Sequence, residues 1–353
     1  MTEKALYEKL ARHIDQGLIG SPRSPALMEI LEIMFPGVEA EVALNLPMQN
    51  KSLAELQPLF PDRPDLEDIL TRMARRGTVF TSRRPGRERK YRLLPSVEGW
   101  AEAPFWAGLD TPEARKLAPL WLRYRDEAFG AELARGDVPV MRVLPVSRTL
   151  RESTEVLPYN ALEPMVRAQS FFAVAYCPCR RMKRYVGEGC DHSLENCLHF
   201  GSMGRYLVEQ GMAREIDAEA TLEILKQSHE EGLVHAVENM EGILGTICNC
   251  CGCCCAFLET MNRTGLRTMS VSNYAARVEV EACLGCGVCQ DRCPMGAITL
   301  GDEDVAQVDE ARCIGCGVCT PTCAGEALDL VLRSEVEPPP RPEALFTARY
   351  KGA

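Results

Sequence analysis

The sequence contains two cysteine runs of the same spacing, Cys283-Leu-Gly-Cys286-Gly-Val-Cys289-Gln-Asp-Arg-Cys293-Pro294 and Cys313-Ile-Gly-Cys316-Gly-Val-Cys319-Thr-Pro-Thr-Cys323. Three thiolates at positions i, i+3 and i+6 of a tight loop can bind three corners of one iron-sulfur cube, because the glycines let the backbone wrap closely around it. The fourth thiolate of each set then comes from the other run. The two runs therefore predict two 4Fe-4S clusters.

Residues 274–333 resemble a bacterial two-cluster 4Fe-4S ferredoxin domain, in which the cysteine followed by proline binds the neighbouring cluster. The apolar pairs Ala297-Ile298 and Ala327-Leu328 follow the two runs at the same offset, as a duplicated unit requires. Ala324 stands where the family usually has the second proline, so the local turn is expected to differ. The predicted ligands are Cys283, Cys286, Cys289 and Cys323 for one cluster, and Cys313, Cys316, Cys319 and Cys293 for the other. Structural zinc sites are the alternative, although they usually take cysteines as separated pairs.

The composition is that of an ordinary globular protein. The chain has 353 residues, of which 46% are hydrophobic and 25% charged, so it is long enough for two or three domains. A net charge of -10 disfavours non-specific binding to nucleic acid and fits a carrier that docks on a basic patch of a redox partner. The N-terminus lacks a continuous apolar stretch, and no apolar stretch is long enough to span a bilayer. We therefore expect a cytoplasmic protein.

All 18 cysteines lie between Cys177 and Cys323. In a reducing compartment, so uneven a distribution favours metal ligation over disulfide bonds.

Residues 1–95 are predicted to form three helices followed by a hairpin, which resembles a winged helix. Helical periodicity predicts helices over Ala5 to Ile14, Leu27 to Phe35 and Leu66 to Met73, with a further short helix from Ser52. Gly77 is a natural helix stop, and two strands are expected at Thr78 to Ser82 and Lys90 to Leu94 around a turn at residues 84–87.

A winged helix can bind DNA or serve as a protein docking module. The basic residues of the predicted wing are Arg83, Arg84, Arg87, Arg89, Lys90 and Arg92. However, the predicted recognition helix opens with Asp65, Glu67 and Asp68, and carboxylates at the end that enters the major groove would weaken DNA binding. Protein docking is therefore the preferred interpretation.

Residues 96–176 are predicted to be a packed connector that leads into a small α/β unit. A helix is expected from Pro112 to Leu133, with a solvated basic face. That face comprises Arg115, Lys116, Arg123 and Arg125. Strands at Val138 to Val146 and Phe171 to Tyr176 with a helix from Asn160 to Ala168 between them would carry Cys177 at the end of the second strand.

Residues 177–273 hold the remaining cysteines, which are Cys177, Cys179, Cys190, Cys197, Cys248, Cys250, Cys251, Cys253, Cys254 and Cys255. Free thiols at this density would oxidise, so they are expected to bind one or two further iron-sulfur clusters or one zinc ion. The simplest grouping joins Cys177, Cys179, Cys190 and Cys197, and separately four of the later cysteines. His192 and His199 make zinc the alternative at the first group.

An amphipathic helix is predicted from Ala218 to Val237, with Leu222, Leu225 and Leu233 on its apolar side. His235 would cap the end of this helix, or alternatively donate a proton near a cluster.

This cysteine-rich segment resembles a family of multi-cluster ferredoxin-like proteins from anaerobes, through its Cys-Pro-Cys-Arg and Cys-Asn-Cys-Cys-Gly-Cys-Cys elements. The resemblance implies redox function without identifying a substrate. The Cys-Cys-Gly triplet is also similar to cysteine-rich domains that build catalytic, non-cubane clusters, but the long-range spacing of that family is missing. Residues 334–353 are expected to form an extended, proline-rich tail.

The predicted fold class is a multidomain α+β protein with a winged-helix-like N-terminal domain, an α/β cysteine-rich middle domain and a ferredoxin-like dicluster domain. The leading functional hypothesis is an electron-transfer component whose partner is a flavoprotein or another oxidoreductase, because nucleotide-binding motifs are missing from the sequence. The alternatives are a reductase with a catalytic cluster in the segment Cys248 to Cys255, and a redox-sensing regulator that binds DNA.

Overall fold

The computed structural model describes residues 2–83, 86–145 and 161–349 as a mixture of helices and sheets. The N-terminal elements are α1 (Glu3–Ile14), α2 (Pro25–Met34), α3 (Val38–Asn45), β1 (Lys51–Ser52), α4 (Leu53–Leu56), α5 (Leu66–Arg76), β2 (Val79–Ser82) and β3 (Lys90–Leu93). The predicted helices and both strands of the hairpin are confirmed, and the strands join β1 in an antiparallel sheet of order β1-β3-β2. The winged-helix assignment itself stays a prediction. The predicted turn falls partly at residues 84–85, outside the described residues.

Local side-chain chemistry explains where these helices begin and end. The Ser52 hydroxyl accepts a hydrogen bond from Glu55 N at 3.3 Å, and the Glu55 carboxylate accepts one from Ser52 N at 2.7 Å, which is a capping box. Gly77 ends α5 in the left-handed region with φ 82°. The sequence reasoning missed α3, because its buried Ala40, Val42 and Ala43 are small and do not repeat at helical spacing over a long window.

The predicted basic helix is present but contains a wide turn. It comprises α7 (Pro112–Tyr124), a π-helical segment (Arg125–Phe129) and α8 (Gly130–Leu133), and the short helix α6 (Ala103–Trp106) precedes it. Arg125 does not belong to a solvated face: its side chain is buried and its guanidinium pairs with the Glu259 carboxylate. The π-helical turn breaks the 3.6-residue period, so this position faces inward where the periodicity predicted solvent.

The middle of the chain forms one large sheet rather than a small α/β unit. The elements are β4 (Met141–Leu144), α9 (Leu162–Arg167), β5 (Phe172–Tyr176), α10 (Pro178–Tyr185), β6 (Glu195–Phe200), α11 (Gly201–Glu209), β7 (Arg214–Ile216), α12 (Ala218–Glu230), β8 (Val234–Glu238), β9 (Thr246–Cys250), α13 (Ala256–Thr264) and β10 (Met269–Ser270). Among the described residues the strand order is β10-β4-β8-β9-β6-β5-β7, and only β10 and β4 pair in parallel.

This sheet corrects two sequence-based expectations. The strands β4 and β5 are separated by three others, and β5 pairs with β6 across the predicted domain boundary at residues 176 and 177. Apolar composition identifies a strand but not its partner, because pairing depends on contacts distant in sequence. Val146 and Asn160, the predicted ends of a strand and a helix, lie outside the described residues.

The predicted helix from Ala218 to Val237 is two elements. The helix α12 ends at Glu230, Gly232 takes φ 85°, and β8 begins at Val234. His235 therefore lies within a strand and does not cap a helix. It is buried, and its Nδ1 lies 2.6 Å from Asn249 Oδ1 on the neighbouring strand.

The C-terminal part consists of two small antiparallel sheets, one short helix between their strands and a final helix. Its elements are β11 (Tyr274–Val278), α14 (Val288–Arg292), β12 (Ile298–Leu300), β13 (Ala306–Val308), β14 (Leu328–Leu332) and α15 (Pro342–Arg349). The strand β11 pairs with β14, and β12 pairs with β13. The tail is thus not wholly extended, because its end forms the helix α15. Leu345 and Arg349 of this helix are fully buried.

None of the helices in the described ranges combines the length and apolar character that crossing a membrane would require.

Candidate metal centres

Cys283, Cys286, Cys289 and Cys323 line one cavity of the C-terminal domain, here called the outer cavity. The left-handed Gly285, with φ 65°, allows the loop to wrap tightly, since a Cβ there would lie 2.8 Å from Asp304 O. Backbone N–H groups point at two of the sulfurs: Ala327 N lies 3.2 Å from Cys323 Sγ, and Ala306 N lies 3.5 Å from Cys283 Sγ. Such donors stabilise thiolates and the negative charge of a bound cluster.

Cys293, Cys313, Cys316 and Cys319 line a second cavity, here called the inner cavity. Ala297 N donates to Cys293 Sγ at 3.2 Å, which repeats the contact at Cys323 in the other half of the domain. Burial raises the pKa of Cys316 to about 12 and that of Cys319 well above the ordinary value. These buried thiols would therefore need a bound cation to become thiolates at neutral pH.

Each cavity is lined by one of the two sets of four cysteines that the sequence spacing predicts. Their donor chemistry fits a cube in each cavity, because four sulfurs surround each space and backbone donors face several of them. The ligand assignment itself stays a prediction.

Four cysteines of the middle domain form a tight group, here called the Cys190 group, comprising Cys190, Cys251, Cys253 and Cys254. Their sulfur atoms all lie within 4.8 Å of one another. The Arg184 guanidinium holds the Cys190 loop by donating to Cys190 O at 2.8 Å and to His192 O at 2.9 Å.

The structure thus separates Cys190 from Cys177, Cys179 and Cys197, with which the simplest sequence grouping joined it. Cys190 and Cys251 are 61 positions apart, and their contact depends on how the loop after α10 meets the loop after β9. Neither His192 nor His199 is a member of the Cys190 group.

The other cysteines of the middle domain line a third cavity, here called the Cys177 cavity, and share it with Cys251 of the Cys190 group. They are Cys177, Cys179, Cys197, Cys248, Cys250 and Cys255. Cys248 and Cys250 are two residues apart on β9, so their side chains project from the same face of the sheet. Cys177 and Cys255 directly precede α10 and α13. The positive end of the α13 dipole favours a thiolate at Cys255, whereas the hydrogen bond with Cys179 and burial raise the pKa of Cys177 well above its ordinary value. The sulfur atoms of Cys250 and Cys255 are 3.3 Å apart.

Hydrogen bonds among the sulfurs make two of them acidic. Those with Cys179 and Cys250 lower the pKa of Cys255 to about 5, and those with Cys197 and Cys250 lower the pKa of Cys248 well below its ordinary value. In the Cys190 group, a hydrogen bond from Cys254 likewise lowers the pKa of Cys251 to about 4. These shifts favour the thiolate in each group, which is the form that binds metals.

Polar residues that the sequence reasoning missed also line the Cys177 cavity, among them Glu98, Glu102 and Arg180. Burial and the neighbouring Cys248 thiolate raise the pKa of Glu98 to about 8. His199 Nε2 lies 3.3 Å from Cys197 Sγ, and burial lowers the pKa of this histidine to about 4. Glu98 and Glu102 belong to the segment between β3 and α7, and no local motif connects that segment to the cysteines.

Comparisons with known proteins agree with the geometry of the C-terminal domain. Residues 276–331 match the family model described as a 4Fe-4S dicluster domain. A probable ferredoxin of Methanosarcina thermophila is 52% identical over 33 residues, which are 9% of this chain and 57% of that protein. The chain therefore aligns with little more than half of this relative's length. No solved structure matches the chain. The C-terminal part of the chain is a ferredoxin-like dicluster domain.

Proposed function

We propose that the chain is an iron-sulfur electron-transfer protein that carries 4Fe-4S clusters in its outer and inner cavities and a further iron-sulfur cluster in the Cys177 cavity. When bound, such clusters supply one-electron transfer. The protein residues hold them, exclude water and set their potentials through burial and N–H donors to sulfur. The electron donor and acceptor are expected to be redox partner proteins.

The observation that carries this proposal is the arrangement of the cavities. The outer cavity is open to the surface, because Cys286 and Val288 are exposed and Leu284 is 67% exposed. A partner protein could therefore approach this cavity closely.

The inner cavity instead packs against the main core. Its lining residues Ile314 and Val318 belong to the same continuous buried core as Cys250 and Cys255 of the Cys177 cavity. This continuity supports a route from the surface through the C-terminal domain to the middle domain.

A reductase is the second candidate, and the composition of the Cys177 cavity favours it. The cavity offers more sulfurs than one cube requires, and Glu98 and His199 lie beside them as groups that could hold a proton.

Support for the DNA-binding alternative is weaker, because two basic residues of the wing are engaged within the chain. Lys90 Nζ lies 2.9 Å from the Glu55 carboxylate, and the Arg92 guanidinium lies 4.6 Å above the Phe80 ring.

The test is iron analysis on anaerobically purified full-length protein, with electron paramagnetic resonance after chemical reduction, because the reduced cube is the paramagnetic form. About twelve iron atoms per chain are expected if the third cluster is also a cube. Cys286→Ser and Cys316→Ser should each perturb one ferredoxin-type signal, and Cys248→Ser should remove a third signal while sparing those two. The proposal for the middle domain would be overturned if the wild type contained only about eight iron atoms per chain and Cys248→Ser contained the same number.

A further inference from the structure

We propose that the Cys190 group binds a single zinc ion, and that this ion fixes the middle domain against the ferredoxin-like domain. The positions of the four sulfurs and the contacts of the loop that carries three of them support this site. They are the same whichever cluster the Cys177 cavity holds.

The distances between sulfur atoms match one tetrahedral ion. Cys190 Sγ lies 3.8 Å from Cys251 Sγ and 3.7 Å from Cys254 Sγ, and Cys253 Sγ lies 3.7 Å from Cys254 Sγ. A zinc-sulfur bond of about 2.3 Å in tetrahedral geometry separates the sulfurs by about 3.8 Å. In a cube each thiolate binds a different iron atom, which spreads the sulfurs to about 6 Å apart. The Cys190 group is therefore too compact for a cube, and by the same measure Cys250 and Cys255, with sulfurs 3.3 Å apart, could supply only one ligand to a cube in the Cys177 cavity.

The surroundings of the group are those of a closed, structural site. Cys251 and Cys254 are buried together with Leu233, and only Cys253 is exposed. Four sulfurs complete the coordination of zinc, so no position remains open for a substrate. A zinc ion with four thiolates has a net charge of -2, and the buried Arg180 guanidinium, 3.9 Å from Cys251 Sγ, offsets part of it.

The loop between these ligands also contacts the ferredoxin-like domain. A Cβ on Gly252 would lie 2.0 Å from Pro294 O, so this contact requires glycine. Asn262 Nδ2 donates to Gly252 O at 3.2 Å and to Pro294 O at 2.8 Å, and thereby joins the two segments. Pro294 directly follows Cys293 of the inner cavity.

A second contact nearby holds the same interface. Arg292 donates to His229 O at 2.5 Å and to Glu230 O at 2.9 Å at the end of α12, and to Val318 O at 2.5 Å beside the inner cavity. An ion that fixes Cys190 and the 251–254 loop would therefore also fix the segment that carries Cys293.

Metal content tests the site. Full-length protein expressed with both metals and purified anaerobically should contain about one zinc per chain besides its iron. In Cys190→Ser and Cys253→Ser the zinc content per chain should be at least tenfold lower than in the wild type, while the iron of the ferredoxin-like domain should remain. The control Cys286→Ser should lose iron and keep zinc. The zinc assignment would be overturned if the wild type contained iron instead of zinc at this site and Cys253→Ser lost that iron. It would also be overturned if both substituted proteins kept their zinc.

Hydrogen-deuterium exchange tests the role at the interface. In Cys190→Ser, exchange of the amides of residues 290–296 should accelerate at least fivefold, whereas exchange in α2 should stay unchanged. Gly252→Ala should keep its zinc and show the same acceleration, because it disturbs the contact with Pro294 and not the ion. Asn262→Ala provides a milder variant if Gly252→Ala does not fold. The proposed role would be overturned if Cys190→Ser lost its zinc but the amides of residues 290–296 exchanged at the wild-type rate.

Discussion

The Arg180 guanidinium lies between the Cys190 group and the Cys177 cavity, with Nη1 3.9 Å from Cys251 Sγ and 2.8 Å from Asn249 O. Its Nη2 donates to Asn196 Oδ1, and its side chain is fully buried. One cation therefore faces two groups of sulfur atoms and also joins β6 to β9.

Substitution of Arg180 by Met should be strongly destabilising, because it leaves nearby thiolates without a counter-charge and two acceptors without a donor. We expect a loss of about 3–5 kcal/mol in the free energy of unfolding, measured by denaturant titration. The control Arg214→Met removes an exposed pair with Glu195 and should cost less than about 1 kcal/mol. Equal losses in both variants would contradict the role of Arg180.

Gly315→Ala should disrupt the inner cavity selectively. Gly315 has φ 65°, and a Cβ there would lie 2.0 Å from Tyr274 O, so both the backbone conformation and the contact exclude a side chain. Gly187→Ala is a matched control, because Gly187 has φ 77° but, apart from its chain neighbours, no atom of the described residues lies within 4 Å of the place where its methyl group would be.

The control variant should lose only about 1–2 kcal/mol from its left-handed backbone. Gly315→Ala should in addition lose about half of the iron bound by the ferredoxin-like domain, measured by iron analysis after anaerobic purification. Full iron content in Gly315→Ala would indicate that the loop can move away from Tyr274.

Acid should destabilise the protein through His235. Burial lowers the pKa of His235 from 6.5 to about 4, although Asn249 opposes the shift, and the His229 ring lies 6.2 Å away. Between these two pKa values the unfolded chain binds more protons than the folded one, so the free energy of unfolding falls as the pH falls. The loss from this residue should be about 2 kcal/mol between pH 8 and pH 5.

Thermal unfolding of the wild type and of His235→Gln at several pH values measures this contribution. The variant should be less stable at pH 8, where its hydrogen bond is altered, but its stability should vary less with pH. His192→Gln, at a position 34% exposed, is the comparison for replacing a histidine elsewhere in the middle domain. Parallel pH curves for the wild type and His235→Gln would contradict the prediction.

The C-terminal helix should be essential for stability through Arg349. This residue is fully buried and donates to Leu18 O at 3.3 Å, Glu132 O at 3.0 Å and Val138 O at 3.2 Å. Arg349→Ala removes these donors, which should cost about 3 kcal/mol and lower the melting temperature by several degrees. Arg341→Ala, at a position 82% exposed and 3.7 Å from Glu241, should change the melting temperature little.

The sequence alone determined the ferredoxin-like domain and its two sets of cysteines. Ligands at i, i+3 and i+6 with glycines between them constrain the backbone locally, so spacing is enough to recognise the loop. Helix starts such as Ser52 and stops such as Gly77 were likewise readable, because capping depends on residues within one turn.

Only the tertiary structure decided how the middle cysteines divide. Cys190 meets Cys251 because the antiparallel sheet brings the loop after α10 to the end of β9, and Glu98 reaches the Cys177 cavity from a segment with no cysteine. Sequence spacing limits the distance between two residues only when few bonds connect them. For residues many positions apart, strand pairing and packing of the core set the distance, and these depend on the whole chain.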